Sequence, residues 1–486
     1  MEKSSGSTFK KSLNLTDSTA IVVGSMIGSG VFIVGADMSR TLGSPGWLLI
    51  AWLITAIMTV FAALNYGELA TMMPKAGGQY IYLREAYNPL TGFLYGWTLF
   101  MVIQTGTIAA VAMAFAKFMG VLVPWVGEKN VLLSVAGLKI TTVHLIAVSS
   151  IILLTWINSR GIKTGKYVQN SFTITKVGIL LLLLVVGFFI ANSSGWHANT
   201  DYFWDAARLD KETGAVTPLS GFSIAAAIAM AMVGSLFACD AWNNITFASG
   251  EVINPKRTLP MSLFYGTMIA TLLFILANVV YIKVLPLRGI PGGEGVVAQG
   301  MAFAANDRLA TAAITGIFGQ YAAVIMAIMI VISTFGCNNG LVLSGARVYY
   351  AMADNKLFFK QAGKLNSRGV PGYGLVFQCV WACLLCLSGS YSQLLDYVIF
   401  AVLIFYVLTN LSVFIFRYKR PDAERPFKSF GYPVMPALCI LCALFIMVIL
   451  LIYKPDYTWP GLIIVAVGIP VYYIWKKFNE KGSVTV

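Results

Sequence analysis

Long apolar stretches, separated by short polar connections, recur along the whole chain and restrict its fold more than any other feature of the sequence. A helix needs about 20 predominantly apolar residues to cross the hydrocarbon core of a bilayer. Twelve stretches are candidates for such helices. They lie near residues 17–38, 46–72, 91–122, 138–158, 166–191, 220–247, 261–285, 310–343, 373–390, 393–416, 432–453 and 459–475. Only 11% of the 486 residues are charged, whereas soluble domains carry about 25%. The sequence therefore predicts an all-α polytopic membrane protein with twelve transmembrane helices.

The net charge of +14 is spread unevenly over the predicted loops. Most lysines and arginines fall on the side that carries the N-terminal tail, residues 1–16, and the C-terminal tail, residues 478–486. Because loops rich in Lys and Arg stay in the cytoplasm, both termini are predicted to be cytoplasmic. This distribution argues against nucleic acid as a partner. The longest loop on the opposite side, residues 192–219, is predicted to form a mobile extracellular cap.

The first apolar stretch is interrupted by the segment Gly24-Ser25-Met26-Ile27-Gly28-Ser29-Gly30. Glycine costs about 1 kcal/mol relative to alanine within a helix, and a membrane tolerates broken backbone only where protein or a water-filled cavity satisfies it. A glycine-interrupted span is therefore a candidate binding site, with backbone groups turned toward a ligand. Close helix packing explains the pair Gly24 and Gly28 equally well. The segment alone leaves both interpretations open.

The sixth stretch is interrupted as well, by Leu236-Phe237-Ala238-Cys239-Asp240-Ala241-Trp242-Asn243-Asn244. Asp and Asn are weak helix formers, because their side chains compete for backbone hydrogen bonds. Corresponding breaks in two halves of a chain are the best sequence indication of a transport site at the interface of an inverted repeat. The paired breaks favour a transporter over a gated pore, which would not require them.

Several polar positions within the spans have more than one interpretation. Lys176 lies well inside the fifth stretch, where a lysine is costly and functional by default, although its side chain could instead extend to the inner surface. Gln104 and Thr107 could line the same cavity as the first span or form interhelical hydrogen bonds. Glu68, near the end of the second stretch, is expected either to reach the inner surface or to pair with a nearby Lys or Arg.

Cysteine and histidine usage argues against metal, disulfide and enzyme chemistry. The pairs Cys383-x-x-Cys386 and Cys439-x-x-Cys442 imitate a zinc spacing, but each lies within an apolar stretch, and the chain has only two histidines. Buried cysteine commonly behaves as a small hydrophobic residue. We therefore expect no metal, no cofactor and no disulfide. Two scattered histidines also cannot supply the constellation that a membrane-embedded enzyme needs.

Three segments, in this order, resemble motifs of the amino acid–polyamine–organocation superfamily. They are Gly24 through Phe32, Tyr66 through Tyr80 with its Gly67-Glu68-Leu69-Ala70, and Phe237 through Asn243 followed by Glu251-Val252-Ile253-Asn254-Pro255. The third segment resembles the L-type amino acid transporter branch. Order and spacing agree across essentially the whole chain, which makes the combination specific.

The resemblance implies a leucine-transporter-type core of two inverted repeats with five spans each. Residues 17–191 would form the first repeat and residues 220–418 the second, with broken helices one and six. Residues 419–477 would add two further C-terminal helices.

The resemblance also implies that an α-amino acid binds between the first and sixth spans. Backbone amides around Gly28, Ser29 and Gly30 would hold its carboxylate, which agrees with the affinity of helix N-termini for anions. Carbonyl groups of the two breaks would receive its ammonium group, and Phe237 would close over it as an aromatic gate. The substrate-binding residues implied in this way are Ser25, Met26, Gly28, Ser29, Gly30, Phe237, Ala238, Asp240 and Asn243.

Lys176 matches a lysine found in sodium-independent members of the superfamily, in the pattern Gln169-x-x-Phe172-x-x-x-Lys176. It would bridge spans one, five and eight in place of an ion, and it could also carry a coupling proton. Asp240 could attract the substrate ammonium or a cationic side chain, or it could cap the broken helix through neighbouring amides, which is the favoured interpretation. Ala241 stands where the family often has glycine, and Cys239 replaces a common tyrosine, so the local bend and the cavity are expected to differ.

These observations predict a sodium-independent transporter of α-amino acids, most simply neutral ones, that works by alternating access and exchange. The alternatives are a proton-coupled amino acid symporter, a cationic amino acid or polyamine antiporter, and a membrane sensor that binds without transport. The resemblance also implies that animal L-type subunits bond a glycoprotein partner through a cysteine in the outer loop after span three. The corresponding loop here, from Val123 to Leu138, has no cysteine, so we expect no disulfide-linked glycoprotein subunit. A stand-alone monomer or homodimer in a bacterial inner membrane is the expected form.

Overall fold

The computed structural model describes residues 9–127, 129–135, 138–319, 321–388 and 391–482. Residues 1–8 and 483–486, which belong to the two predicted tails, lie outside the described residues. The helices of the first half are Leu15–Met26, Gly30–Leu42, Pro45–Met72, Gln79–Ala86, Pro89–Thr98, the π-helical Leu99–Ile103, Gln104–Leu122, Thr142–Ser159 and Ile162–Phe189. The later helices are Ser194–Thr200, Phe222–Ala238, Asn244–Phe247, Pro255–Val284, Gly295–Gln299, Leu309–Phe318, Tyr321–Asp354, Gly372–Ser388, Tyr391–Lys419, Val434–Tyr453 and Pro455–Gly482.

Two small antiparallel hairpins lie in connections between these helices. Val131–Val135 pairs with Leu138–Thr141, and Ala207–Leu209 pairs with Val216–Pro218. Short 3-10 turns cover Ser249–Glu251, Ala305–Asp307 and Lys360–Gly363. The all-helical class that the sequence predicts is therefore confirmed for the membrane-spanning part.

Ten helical segments in the described part of the chain are long and apolar enough to cross a membrane, when the two half-helices within Leu15–Leu42 are counted as one. Two predicted spans are shorter: the sixth has 17 residues, Phe222–Ala238, before its break, and the ninth is the 17-residue helix Gly372–Ser388. The protein is therefore a multi-pass membrane protein, and the count of twelve spans stays a prediction.

The eighth span differs from expectation at its polar segment, residues 333–340. The sequence Ser333-Thr334-Phe335-Gly336-Cys337-Asn338-Asn339-Gly340 predicts a polar weak point in this span, yet the helix Tyr321–Asp354 runs through it without interruption. The Oγ atom of Ser333 donates to the carbonyl of Ile27 at 3.4 Å, and Nδ2 of Asn339 donates to Oε1 of Gln169 at 3.0 Å. Because other spans satisfy these side chains, they do not compete for the backbone bonds of their own helix.

The loop 192–219 packs against the ends of the first and second spans. The Oγ atom of Ser44 donates to the carbonyl of Phe203 at 2.6 Å, and the indole N–H of Trp47 donates to the carbonyl of Trp204 at 3.0 Å. The guanidinium group of Arg288 lies 4.3 Å from the ring centroid of Tyr202. These contacts join the loop to the ends of the helices, and the mobility expected of it stays a prediction.

Glu68 is buried and pairs with arginine, which confirms one of its two predicted interpretations. Nε and Nη2 of Arg417 lie 3.0 and 2.7 Å from the two carboxylate oxygens, and the N–H group of Ser429 donates to one of them at 2.7 Å. Charge-assisted bonds of this kind are among the strongest in proteins. They fasten the end of the second span to the end of the tenth.

A second buried ion pair joins Glu251, after the sixth-span break, to Arg347 of the eighth span. Both side chains are 2% exposed, and Nε of Arg347 lies 2.9 Å from Oε1 of Glu251. The carbonyl of Glu251 also accepts bonds from the N–H groups of Ser12 and Leu13, at 2.8 and 3.0 Å. The pair and these bonds fasten the N-terminal segment, the sixth span and the eighth span at one place.

We expect Ala241→Gly to leave the free energy of unfolding unchanged or to raise it by up to about 1 kcal/mol. Ala241 has a φ of +66°, and this left-handed conformation costs an L-residue about 1–2 kcal/mol, partly offset by the larger chain entropy that glycine loses. The control Ala229→Gly, inside the helix Phe222–Ala238, should lower it by about 1 kcal/mol. Thermal unfolding of detergent-purified protein measures both, and equal losses would contradict the left-handed conformation.

We expect Glu251→Leu or Arg347→Met alone to lower the free energy of unfolding by about 3–5 kcal/mol, because each leaves its charged partner buried and uncompensated. The double variant should lose clearly less than the sum of the two losses. A double-mutant cycle by chemical or thermal unfolding tests this. Additive losses would show that the two charges do not interact.

Candidate functional site

The first span is broken where its glycine-rich segment predicts. The helix Leu15–Met26 ends at Ile27, whose ψ of 88° is not helical, and a second helix begins at Gly30. The N–H group of Gly28 donates to the carbonyl of Met26 at 2.9 Å, so the chain turns here instead of continuing the helix. The first N–H groups of a helix have no acceptor within it, and the start of the second half-helix is therefore a suitable place for an anion.

The same glycines let neighbouring spans approach closely. A Cβ atom on Gly28 would lie 2.8 Å from Sγ of Cys337, and one on Gly30 would lie 2.6 Å from Cβ of Ala238. Gly24 packs against side chains of the fifth span in the same way. Both interpretations of the segment are realised, since the backbone is broken and the glycines make room for spans five, six and eight. The contact of Gly30 with Ala238 brings the two breaks together.

Lys176 lies fully buried between the first, fifth and eighth spans. Its Nζ atom donates to the carbonyls of Gly24 at 2.5 Å, Ile27 at 2.9 Å and Ser333 at 3.4 Å. The last carbonyls of a helix lack partners within it and favour a cation, and those of Gly24 and Ile27 end the first half-helix. The side chain therefore meets a group of carbonyl oxygens and does not extend to the surface.

The second break lies after the helix Phe222–Ala238 and is tied to other parts of the chain. The N–H group of Asp240 donates to the carbonyl of Phe237 at 3.2 Å. The carboxylate of Asp240 accepts a bond from the hydroxyl of Tyr406 at 2.6 Å. Nδ2 of Asn243 donates to Oε1 of Gln79 at 3.1 Å. The carboxylate of Asp240 is thus bonded both to the tenth span through Tyr406 and to the backbone of its neighbour Ala241, and its role as a helix cap stays a prediction.

A narrow cleft lies beside this break, between spans three, six, eight and ten. Its lining residues are Gln79, Tyr95, Leu99, Ile103, Gln104, Thr107, Asp240, Ala241, Asn243, Asn244, Phe247, Leu341, Val402, Phe405 and Tyr406. The free volume of about 10 Å³ has room for about one water molecule. In this conformation the cleft is too small for an organic ligand.

The structure places four of the predicted residues, Gln104, Thr107, Asp240 and Asn243, on the wall of this cleft. Gln104 also bonds across helices, since its Nε2 donates to the carbonyl of Leu341 at 2.8 Å. None of the described lining residues comes from the first break. The predicted residues therefore form two groups, which meet where Gly30 contacts Ala238.

Other predicted residues lie close to the breaks themselves. Phe237 is the penultimate residue of its half-helix and is 7% exposed. The carbonyl of Ser25 accepts a bond from the thiol of Cys337 at 3.0 Å. Met26 is the last residue of the first half-helix, and its carbonyl accepts the bond from Gly28.

Three buried polar atoms near the breaks have no hydrogen-bond partner among the described residues. They are Oγ of Ser25 at the first break, and the hydroxyl of Tyr95 and Nδ2 of Asn244 at the cleft. An unsatisfied buried polar group costs about 1–3 kcal/mol, so such atoms call for a bound water or ligand. These three atoms therefore mark polar groups that are available to bind a ligand or a water molecule.

Four further polar residues line the cleft that were not predicted from the sequence: Gln79, Tyr95, Asn244 and Tyr406. Gln79 follows the helix-breaking pair of glycines at positions 77 and 78, which is a usable signal for a polar group on a turn. Tyr95 and Tyr406 lie in apolar stretches with several other aromatic residues. Only the packing of the helices shows which of those rings faces the cleft.

We expect Gly30→Ala to lower the free energy of unfolding by about 1–3 kcal/mol and to prevent ligand binding at the two breaks. The new Cβ would lie 2.7 Å from the Cα of Ala238, so backbone has to move and the two breaks separate. Gly178→Ala is the control, because nothing lies within 4 Å of its added Cβ, and the exchange should leave stability unchanged or raise it. Thermal unfolding and ligand-dependent stabilisation measure both variants. If Gly30→Ala and Gly178→Ala changed stability equally little, the close approach of Gly30 to Ala238 would be contradicted.

Comparison with known proteins finds relatives over nearly the whole length of the chain. The family model described as amino acid permease matches residues 13–474. The b(0,+)-type amino acid transporter 1 of Homo sapiens is 28% identical over 477 residues, which cover 97% of this chain and 89% of that protein. The large neutral amino acids transporter small subunit 2 of Homo sapiens is 28% identical over 481 residues, which cover 98% of this chain and 82% of that protein.

A bacterial protein matches at a similar level. The serine/threonine exchanger SteT of Bacillus subtilis (strain 168) is 30% identical over 471 residues, which cover 96% of this chain and 97% of that protein. The broken first and sixth spans lie within the region that the family model matches. This chain therefore belongs to the amino acid permease family of the amino acid–polyamine–organocation superfamily, and it is a transporter and not an enzyme.

Proposed function

We propose that the protein exchanges neutral α-amino acids across a bacterial inner membrane, without sodium, by alternating access. The observation that carries this proposal is the position of Lys176, whose ammonium group bonds to carbonyl oxygens of the first and eighth spans. Family membership and the relatives named as amino acid transporters and exchangers support the substrate class and the exchange mode.

Sodium independence follows from charge. Carbonyl oxygens of broken helices are the groups that coordinate Na⁺ in transporters with unwound spans. Here the side chain of Lys176 supplies a fixed positive charge to the carbonyl oxygens of Gly24, Ile27 and Ser333. A sodium ion placed beside the ammonium group would meet strong repulsion at low dielectric. We therefore assign Lys176 the role of a built-in replacement for the ion.

The two breaks offer complementary groups to the backbone of an amino acid. Amides at Gly28, Ser29 and Gly30 would receive the carboxylate, since a helix N-terminus favours an anion. Carbonyls of Met26, Phe237 and Ala238 would receive the ammonium group, with Ser25 and Asn243 beside them. Because Gly30 touches Ala238, one ligand can reach both breaks at once.

A neutral side chain fits the cleft better than a charged one. Asp240 is the one carboxylic acid among its described lining residues, and its carboxylate already accepts a bond from Tyr406. A cationic side chain would have to compete with that bond. The other lining residues, among them Gln104 and Thr107, present amides, hydroxyls and apolar groups to the cleft. These groups suit small neutral side chains.

Alternating access requires the cleft to open, because its present volume of about 10 Å³ cannot admit an amino acid. Hinges at element ends commonly absorb such motions, and the two broken spans supply them. We assign Phe237, at the end of its half-helix, the role of the gate. The ion pair of Glu251 and Arg347 lies on the proposed cytoplasmic side and would have to rearrange when that side opens.

The finer architecture belongs to the same proposal. We place the first inverted repeat at residues 17–191 and the second at 220–418, followed by two spans in residues 419–477, with residues 192–219 outside the cell. The breaks in spans one and six support the repeat, since they fall at corresponding positions of the two halves. The bacterial relative supports an inner-membrane location, and the distribution of basic residues supports cytoplasmic termini. We also propose that the protein works without a disulfide-linked subunit, since the loop from Val123 to Leu138 has no cysteine.

Counterflow in liposomes tests the function. Labelled serine, alanine, leucine and arginine are offered to purified, reconstituted protein, with or without the same amino acid inside. Each measurement is made in sodium or choline buffer, with and without an inward proton gradient. We expect neutral amino acids to enter only against internal amino acid and irrespective of sodium. Uptake driven by protons alone would indicate a symporter, and binding without uptake would indicate a sensor.

We expect Lys176→Met to reduce counterflow at least tenfold, because three carbonyls lose a charged donor and each such bond is worth about 1.5–3 kcal/mol. Lys283→Met is the control, since Nζ of Lys283 also donates to a carbonyl, that of Phe188 at 2.7 Å, but at an exposed position. The control should transport at the wild-type rate. Undiminished counterflow in Lys176→Met, or a sodium requirement of the wild type, would overturn the role given to Lys176.

A further inference from the structure

A cavity larger than the cleft opens on the proposed cytoplasmic face, with a volume of about 420 Å³. Its walls come from the loop after the second span, the helix Gln79–Ala86, the end of the eighth span and Arg420. The lining residues are Met72, Met73, Pro74, Lys75, Ala76, Ile81, Arg84, Glu85, Tyr350, Ala351, Asp354, Asn355 and Arg420. None of these residues lines the cleft at the second break, so the cavity is a separate space.

Three of the charged lining residues neutralise one another in part. Nη2 of Arg84 lies 2.9 Å from one oxygen of Glu85, and Nη2 of Arg420 lies 3.2 Å from the other. The hydrogen bond from Arg84 lowers the pKa of the Glu85 carboxyl below its ordinary value, so the carboxylate stays charged at neutral and mildly acidic pH. Arg84 also donates to Asn355. The group of three residues is therefore held in place and carries one net positive charge.

The other two charged lining residues, Lys75 and Asp354, are exposed to solvent and line the cavity. Within the described part of the chain neither has a side-chain hydrogen bond or an ion pair. One is a cation and the other an anion, and each has hydrogen-bonding capacity left over. A ligand that carries one charge of each sign matches them, with the carboxylate directed to Lys75 and the nearby guanidinium groups and the ammonium directed to Asp354.

We propose that this cavity is a second, regulatory binding site for a zwitterionic amino acid on the proposed cytoplasmic face, an inference whose ligand class rests on the proposed function. Met72, Met73 and Ile81 supply an apolar wall for its side chain. The head group of an ethanolamine phospholipid carries the same two charges, an ammonium and an anion, and is the second source of this chemistry.

The cavity wall is joined to the transport site through the loop after the second span. The N–H group of Gly77 donates to the carbonyl of Phe247 at 3.0 Å, and Gly78 packs against Thr246. Phe247 lines the cleft. On the opposite wall, the ring of Tyr350 lies 4.9 Å from that of Phe9, in the segment that bonds to Glu251. A ligand between these walls stabilises the closed arrangement of this face and so slows exchange when cytoplasmic amino acid is abundant.

Binding stoichiometry tests the proposal. Purified full-length protein in phosphatidylcholine nanodiscs is dialysed to equilibrium against labelled serine, alanine or leucine, whichever gives the largest counterflow, or against labelled alanine if none does. We expect two molecules bound per wild-type chain and one per chain of Asp354→Asn or Lys75→Gln, with counterflow retained in both variants. Asp422→Asn and Lys428→Gln, exposed charges on the same face that do not line the cavity, should still bind two. Thermal unfolding shows that all variants are folded.

The remaining outcomes separate this proposal from the proposed function. The second site would be contradicted if every protein bound one amino acid molecule per chain. It would also be contradicted if Asp354→Asn and Lys75→Gln both bound two. Neither result would contradict the proposed transport function. Absence of counterflow together with one bound molecule that Asp354→Asn removes would overturn the proposed function and support the cavity site. If nanodiscs containing phosphatidylethanolamine lower the wild-type value from two to one and leave Asp354→Asn at one, the lipid head group occupies the site.

Discussion

Backbone groups that lose their helical partners inside a membrane need other partners, because the hydrocarbon offers none. The helix of the first span ends at Ile27, and a side chain of another span provides the hydrogen-bond donor that its last carbonyls lack. The ammonium group of Lys176 bonds to the carbonyls of Gly24 and Ile27 and reaches Ser333 of the eighth span. The broken first span thus depends on a charge carried by the fifth span, and the position of the break fixes the packing of three spans together.

The second break is satisfied differently, through side chains from several parts of the chain. Tyr406 of the tenth span donates to Asp240, and Asn243 bonds to Gln79 on the helix that follows the second span. The close approach of Gly30 to Ala238 then joins the two breaks. A site made in this way is responsive to motion of any of these elements, which is a useful property for a protein that has to open to alternate sides.

Several features could be predicted from the chain alone because they are local. The apolar stretches define helices by length, and the glycine run at residues 24–30 disrupts its helix through its own backbone preferences. Lys176 and Glu68 could be singled out because an ionisable residue in a membrane segment needs a partner. For Glu68, arginine was among the predicted partners, and Arg417 fills that role. For the polar segment 333–340 the same reasoning was wrong, since Ser333 and Asn339 bond to other spans and the helix continues.

Local sequence determined that this chain crosses a membrane many times, where its first and sixth spans break and which charges have to be buried. Tertiary structure alone decided which groups meet those breaks. Tyr95 and Tyr406 look like any other aromatic residue of an apolar span, and their position on the cleft depends on how the third and tenth spans are rotated against the sixth. From the sequence, Asp240 could cap the broken helix or attract a cationic group, and its hydrogen bond from Tyr406 depends on the approach of the tenth span. The physical reason is that helix formation depends on neighbours in sequence, whereas the satisfaction of a buried polar group depends on whatever the fold brings within about 3 Å of it.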